Sequence, residues 1–231
     1  MAEKIVVLTG AGVSAESGIK TFRDADGLWE GHDVHAVASP EGWAADPSLV
    51  LDFYNQRRRQ LREVQPNAAH HAIAALESNF EVVVITQNVD DLHERAGSSK
   101  VIHLHGELRK VRSIGNPSLI YPWEDDLKLG DLCEDGHQLR PHIVWFGEMV
   151  PAMEQAVFEI LEAERVMVVG SSMQVYPAAG LVAYAPASAP IFYVDPRPSL
   201  NYELDLREQL TVIAEPATVG VPMAIQLMRQ N

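Results

Sequence analysis

The chain carries a single cysteine, Cys133, among 231 residues, so it has no internal disulfide framework and suits a reducing compartment. No apolar run approaches the length of a membrane span. Nor does the N-terminus offer a basic region followed by an apolar stretch and a cleavage site. Met1-Ala2-Glu3-Lys4 passes directly into what reads as a strand, and the expectation is a cytoplasmic protein without a secretory leader. Basic residues are scarce: 18 Lys and Arg stand against 32 Asp and Glu, a formal net charge of −14. That balance argues against a general affinity for nucleic acid, whose phosphates would be repelled. It favours basic partners such as lysine-rich protein segments, though an acidic chain is also simply more soluble. Internal repeats and low-complexity tracts are absent.

What remains is ordinary globular material, 47% apolar and 22% charged, enough for one large domain or a core carrying insertions. Short apolar runs at 5–8, 82–85, 166–169 and 191–194 are each followed by a helical pattern, with further strand candidates at 101–104, 143–146 and 210–213. Runs of this kind suit parallel strands buried on both faces, which predicts an α/β fold with a Rossmann-like parallel sheet and helices on each side. Helices are expected over 151–163, which opens on proline, and over 218–229. Two stretches break the rhythm. Residues 31–74 hold a helical segment around 47–64 and another beginning near Asn67, and residues 107–141 are rich in Gly, Pro, Asp and Glu. The reading is a single catalytic unit with a core over 1–30, 75–106 and 142–231, and a small lobe built from 31–74 and 107–141. Ligands of open α/β sheets bind beyond the carboxyl ends of the strands, so the cleft between sheet and lobe is the expected site.

After the first strand, Gly10, Gly12 and Ala15 fit the G-x-G-x-x-G/A pattern between a strand and a helix, where glycines allow close backbone approach and free N–H groups attract pyrophosphate. A plain strand-to-helix turn would use the same residues; the flanking context favours dinucleotide binding. A dehydrogenase would next supply a second strand ending in an acidic residue, but residues 21–30 read as a polar loop with aromatic anchors. Something other than hydride transfer is implied. The strand at 82–85 runs into Thr86-Gln87-Asn88-Val89-Asp90. One of these could be a helix cap, but Gln87, Asn88 and Asp90 together exceed that need. His103 and His105 lie two apart, hence on one face of an extended segment. As metal ligands they make an incomplete pair; beside a dinucleotide cleft, His105 is placed to act as a general base.

Taken in order, these motifs resemble the sirtuins. The resemblance rests on Gly10-Ala11-Gly12-Val13-Ser14, Gly18-Ile19, Phe22-Arg23, Thr86 to Asp90 and His105-Gly106. It continues through Val144-Trp145-Phe146-Gly147-Glu148, Gly170-Ser171-Ser172, Val175 with Pro177, and Val194. It implies that NAD is consumed as co-substrate. The acyl-lysine oxygen attacks the ribose carbon as nicotinamide departs, the residue matching His105 is the general base, and the products are free lysine and O-acyl-ADP-ribose. It also implies that Asn88 and Asp90 orient nicotinamide and ribose, and that Gln87 contacts ribose. Gly10, Ala11, Gly12, Ser14, Phe22 and Arg23 would belong to the phosphate and cofactor loops. Gly170, Ser171, Ser172, Asp195 and Ala217 would flank the adenine side, Asp195 standing where the family usually has asparagine. Val144, Phe146 and Gly147 match the segment that pairs with acyl-lysine peptides as an added strand, although an ordinary buried strand would satisfy the same apolar pattern.

Tyr54 and Arg57, three apart in a helical stretch, face the same way. Arg grips a carboxylate with two parallel hydrogen bonds and Tyr adds a donor. The pair resembles the signature of class III sirtuins, which remove succinyl, malonyl and glutaryl groups, so acidic acyl-lysines are the expected substrates and deacetylation a weaker activity. Arg58 and Arg59 read as a solvated basic face. The resemblance breaks at the family's two Cys-x-x-Cys pairs: Ser113 and Asn116 stand in place of the first and only Cys133 remains of the second, so no structural zinc is expected. Competing readings are an NAD-dependent ADP-ribosyltransferase, which would share the cofactor motifs but attach the label to protein, and a non-catalytic NAD-sensing scaffold, which would have no evident need of His105 and Asn88. The oligomeric state is not set by any of these features.

Overall fold

A computed structural model describes residues 2–20, 28–29 and 31–229. Its centre is a six-stranded, all-parallel sheet in the spatial order Leu210–Ile213, Ile191–Val194, Arg165–Val169, Lys4–Thr9, Glu81–Thr86 and Val101–His103. In chain numbering this is 6-5-4-1-2-3, the doubly wound order. Adjacent residues of each strand feed opposite faces. Val6 and Leu8 join Val83, Ile85, Val166 and Val168 under the helices Met153–Leu161 and Ala178–Tyr184. Ile5 and Val7 join Val82, Val84, Met167 and Val169 under the helices Ala68–Ala75 and Ala217–Met228. Burial on both faces is why these strands read as uninterrupted apolar runs.

The chain reverses its winding between Lys4–Thr9 and Arg165–Val169, the first and fourth strands. In a doubly wound sheet a ligand crevice is expected just outside the carboxyl ends of the strands at this point. The strand expected at 210–213 appears with those bounds, and the strand at 101–104 and the helices at 151–163 and 218–229 appear with ends shifted by a residue or two.

Other expectations need correction. The helix Ala68–Ala75, read with the 31–74 insertion, lies on the parallel sheet instead, with Ala69 and Ile73 in its core. Asn67 starts it with a capping box, the His70 ring closing the return bond. Residues 107–141, read as having little periodicity, hold all but the first residue of the eight-residue strand Gly106–Ser113. It pairs antiparallel with Ile120–Pro122 and Leu139–Ile143. A register shift between Gly106 and Val111 breaks the alternation that would have marked it. The candidate 143–146 is not a strand of the parallel sheet: pairing stops at Ile143, and the chain turns at Gly147 with φ +89°.

The long helix Pro47–Glu63 joins this small sheet to the rest. Asp46 caps it, accepting from Leu49 N–H at 3.0 Å, and proline occupies its first turn. One side packs Val50, Phe53, Tyr54 and Leu61 against Leu108, Ile143 and Trp145; Leu51 packs with Val111, Leu127, Cys133 and Leu139. Arg58 is not the solvated residue that the arginine run suggests. It is only 2% exposed. Its Nε donates to Leu108 O (2.9 Å) and its Nη1 to Asn55 Oδ1 (2.7 Å). Asn55 in turn exchanges two hydrogen bonds of 2.9 Å with the backbone of Leu127. Helix and loop are thereby latched through buried polar groups.

The residues of this region do not fit a four-cysteine metal site. Ser113 Oγ accepts from the backbone N–H groups of Gly115 and Asn116, both at 3.1 Å. Cys133 Sγ donates to Asp135 Oδ1 at 2.5 Å and lies 3.0 Å from His137 O. Cys133, Asp135 and His137 do bring one ligand atom each within 4.8 Å of one another, but two of the three are exposed, and three ligands do not close a tetrahedron.

Candidate active site

The crevice at the winding reversal opens into a cavity of about 460 Å³. Its first wall is the Thr9–Gly12 turn. Gly10 N–H bonds Val169 O at 3.0 Å and Gly12 N–H bonds Gly170 O at 2.8 Å, so two loops from adjacent strands lie backbone against backbone. A Cβ on Gly12 would sit 2.6 Å from Gly170 Cα, and one on Gly10 would sit 2.8 Å from Gly170 O. The glycines of the motif are required first by this approach. The helix that follows, Gly12–Ala15, is a single turn, shorter than the motif leads one to expect.

Thr86–Asp90 forms the floor. Gln87 N–H bonds Thr9 O at 2.9 Å, and its Nε2 donates to Ser171 Oγ at 3.1 Å, joining the two sides of the crevice. Asn88 Nδ2 donates to Ser14 Oγ (3.1 Å), and Ser14 Oγ donates to Asp90 Oδ2 (3.0 Å). Asp90 Oδ1 accepts from Leu92 N–H at 3.1 Å. Burial pushes the Asp90 carboxyl up to about 6, against the lowering effect of the Leu92 and Ser14 hydrogen bonds. Behind them His93 Nε2 sits 3.0 Å from Thr9 Oγ1, and the His93 and His70 rings meet edge to face at 4.9 Å. Burial lowers His70 to about 4 and His93 to about 3, so both stay neutral at physiological pH.

The two-residue spacing of His103 and His105 has a specific consequence. His103 Nδ1 lies 3.0 Å from Asn88 O and His105 Nδ1 lies 3.0 Å from Gln87 O, so consecutive carbonyls hold the two rings. A carbonyl only accepts, which puts the proton of neutral His105 on Nδ1 and leaves Nε2 as the basic nitrogen. Burial holds His105 below the ordinary histidine value, partly offset by the Gln87 carbonyl. His103 Nε2 contacts Glu94 Oε1 at 2.7 Å; despite the opposing effect of burial, that carboxylate holds His103 above its ordinary value. His103 is engaged at both nitrogens, and only His105 of the two lines the cavity.

One cavity gathers Gly10, Ala11, Gly12, Ser14, Gln87, Asn88, Asp90, His105, Gly170, Ser171, Ser172, Asp195 and Ala217, together with Tyr54, Arg57, Val144, Phe146 and Gly147. Phe22 and Arg23 lie outside the described residues. Val144–Glu148 is a turn rather than a strand: Val144 N–H bonds His105 O (2.9 Å) and Phe146 N–H bonds Ala38 O (3.0 Å). Tyr54 is fully buried, and burial pushes its phenol up, so it stays protonated. Arg57 stacks over the Phe53 ring at 4.0 Å and donates from Nη1 to Phe53 O at 2.8 Å. Trp145, part of the 144–148 motif but given no site role from the sequence, lines the cavity between Val144 and Phe146. Its Nε1 donates to Tyr54 Oη at 3.0 Å. Its signal in the sequence was its place in that motif, between two selected positions.

These groups fit a dinucleotide. Backbone turns without side chains meet at the winding reversal, and amide, hydroxyl and carboxylate groups at the floor complement ribose hydroxyls and a carboxamide. Comparison with known proteins agrees. The Sir2 family model matches residues 10–177. A protein named NAD-dependent protein deacylase from Helicobacter pylori is 62% identical over 195 residues, covering 84% of this chain and 85% of that relative. One of the same name from Bacteroides thetaiotaomicron is 51% identical over 232 residues, covering 98% of each. A solved complex of a Sir2 homolog with NAD superposes with a TM-score of 0.86 at 38% identity, over 99% of this chain and 90% of that one.

Proposed function

The chain belongs to the Sir2 family and is an NAD-dependent protein deacylase, and we propose that it prefers lysines carrying acidic acyl groups, succinyl, malonyl and glutaryl, over acetyl-lysine. The observation that carries this reading is the placement of Tyr54 and Arg57. They sit one turn apart on the helix Pro47–Glu63 and line the same cavity as His105. Around them the lining is apolar, with Ile19, Leu61, Val89, Leu108 and Ile143. A guanidinium and a protonated phenol within an apolar bay suit a terminal carboxylate. In so sheltered a place, a charge-assisted pair contributes more than it would in water.

Bound NAD supplies an electrophilic ribose carbon, a nicotinamide leaving group and ribose hydroxyls. The residues of this chain do the rest. Gln87, Asn88 and Asp90 orient the nicotinamide riboside end, with Ser14 holding the Asn88 amide and the Asp90 carboxylate in register. His105, with its Nδ1 proton committed to Gln87 O, presents Nε2 to a ribose hydroxyl and accepts its proton. Gly10, Ala11, Gly12 and Gly170 to Ser172 hold the phosphates and adenosine side, with Asp195 and Ala217 beyond. Val144, Phe146 and Gly147 line the bay through which a peptide would offer its acyl-lysine. Acyl-lysine proteins or peptides are then the partners, and nicotinamide and O-acyl-ADP-ribose the released products. Among the described residues no helix is long and apolar enough to cross a membrane. With a single cysteine, we place the protein in the cytoplasm. We take the sheet and the inserted small sheet as one catalytic unit, because the cavity draws on both.

Replacing Arg57 with Met removes the charged grip while keeping an apolar side chain. Desuccinylation should then lose roughly 30-fold or more in kcat/KM, from charged hydrogen bonds worth ~1.5–3 kcal/mol each. Deacetylation should stay within about threefold of the unmodified enzyme by the same arithmetic. Equal losses on both peptides would remove the assignment.

A further inference from the structure

Tyr54 has a feature that acyl recognition by a tyrosine and an arginine leaves unexplained. An indole N–H can only donate, so the 3.0 Å contact from Trp145 Nε1 makes the Tyr54 oxygen an acceptor. The phenol hydrogen remains, and among the described residues it has no acceptor. A fully buried hydroxyl donor without a partner costs folding energy, and a ligand carboxylate in the cavity that Tyr54 lines would supply the missing acceptor.

Trp145 is itself held from several sides. The Arg140 guanidinium stacks on its ring, 3.2 Å from the centroid, and Trp43 packs at 5.8 Å. Arg140 donates to both Glu148 oxygens, at 2.7 and 3.1 Å, and to Ile143 O at 2.9 Å. Glu148 Oε2 accepts from the Trp145 backbone N–H at 2.8 Å and from Arg112 at 3.0 Å. Arg140, Glu148 and Arg112 thus fix an indole that has one evident polar task, the contact with Tyr54.

We infer that Trp145 is a positioning residue for acyl selection: its indole N–H occupies the Tyr54 oxygen, so the Tyr54 hydrogen is presented to the acyl carboxylate. The inference rests on the acidic-acyl reading above. It adds that discrimination is set by a residue 91 positions away from Tyr54, inside the 144–148 turn. An acetyl group carries no terminal oxygens and gains nothing from this arrangement.

A double-mutant cycle tests it, using the ratio of kcat/KM for succinyl- to acetyl-lysine versions of one peptide. Trp145→Phe keeps a ring and removes the donor. In the wild-type background it should lower the ratio about 3- to 10-fold, the scale of one net hydrogen bond, chiefly by raising KM for the succinyl peptide. In a Tyr54→Phe background the same change should move the ratio by less than about twofold, because the residue acted through is gone. An equal drop in both backgrounds, or no drop, overturns the inference. A wild-type ratio at or below one overturns the acidic-acyl reading and this inference with it. A second measurement leaves Trp145 intact. Of the four indole N–H resonances, one should move upfield in Tyr54→Phe, and in the wild type that same resonance should respond to the succinyl peptide and not to the acetyl peptide. A resonance indifferent to the acyl group overturns the inference even if Trp145→Phe fails to fold.

Discussion

Replacing Asn55 with Ala should unlatch the loop at Leu127 from the helix Pro47–Glu63. The substitution deletes the hydrogen bonds to Leu127 N–H and Leu127 O and removes the nearer acceptor of Arg58 Nη1, which keeps only Asp125 O at 3.4 Å. All three groups left behind are buried, and Arg58 Nη2 already lacks a partner. At about 1 kcal/mol for each net hydrogen bond the loss is ~3 kcal/mol. Alanine within a helix returns roughly 0.5 kcal/mol, leaving about 2.5 kcal/mol. For a chain of this size each kcal/mol shifts the unfolding midpoint by ~2–4 °C, so a fall of about 5–10 °C is expected in a thermal scan. Asn55→Asp keeps the acceptor and loses the donor, and should fall between. The same scan run with and without a strong chelator should give one midpoint for the wild type, because hydrogen bonds and packing hold this region. An Asn55→Ala midpoint within 2 °C of wild type, or a wild-type midpoint lowered by the chelator, would refute the reasoning.

Two further outcomes follow from the site. Gly12→Ala forces a methyl against the Gly170 backbone, whose Cα would lie at 2.6 Å; overpacking of this kind costs ~1–3 kcal/mol and displaces the cofactor wall, so KM for NAD should rise about tenfold or more by the same estimate, and an unchanged KM would count against the glycine argument. His93 is held near 3 by burial, chiefly, and by His70 and His103. The unfolded chain therefore takes up a proton below pH ~6.5 that the folded chain refuses. Its contribution to stability is complete above that pH and is lost as pH falls towards 3, at about 1.4 kcal/mol per pH unit. Urea unfolding at pH 7 and 5.5 should show the stability gap between wild type and His93→Gln narrowing on acidification; a constant or widening gap would contradict the assignment.

How much of this was legible in the sequence depended on whether the chemistry was local. The parallel strands were, because burial on both faces leaves unbroken apolar runs such as residues 82–85. So were Gln87 to Asp90 and His105, since polar clusters at the ends of such runs have few structural reasons to exist. Tyr54 and Arg57 could be paired because helical spacing alone places them together. Arg58 could not be read: its neighbours Arg57 and Arg59 make it look solvated, and the carbonyl of Leu108 that accepts its hydrogen bond is fifty positions away. The contact between Trp145 and Tyr54 was hidden for the same reason. The strand Gly106–Ser113 was missed because its register shift blurs the two-residue period. The helix Ala68–Ala75 was found but placed on the wrong side of a boundary that only packing draws.

The central claim is a deacylase whose bay is built for a carboxylate. Its most direct test is nicotinamide release from NAD with one peptide carrying acetyl-, malonyl-, succinyl- or glutaryl-lysine, at peptide concentrations well below KM. The account predicts faster release with the three acidic acyl groups than with acetyl, and its loss with every peptide in His105→Ala. Release that is equal or faster with the acetyl peptide would contradict it.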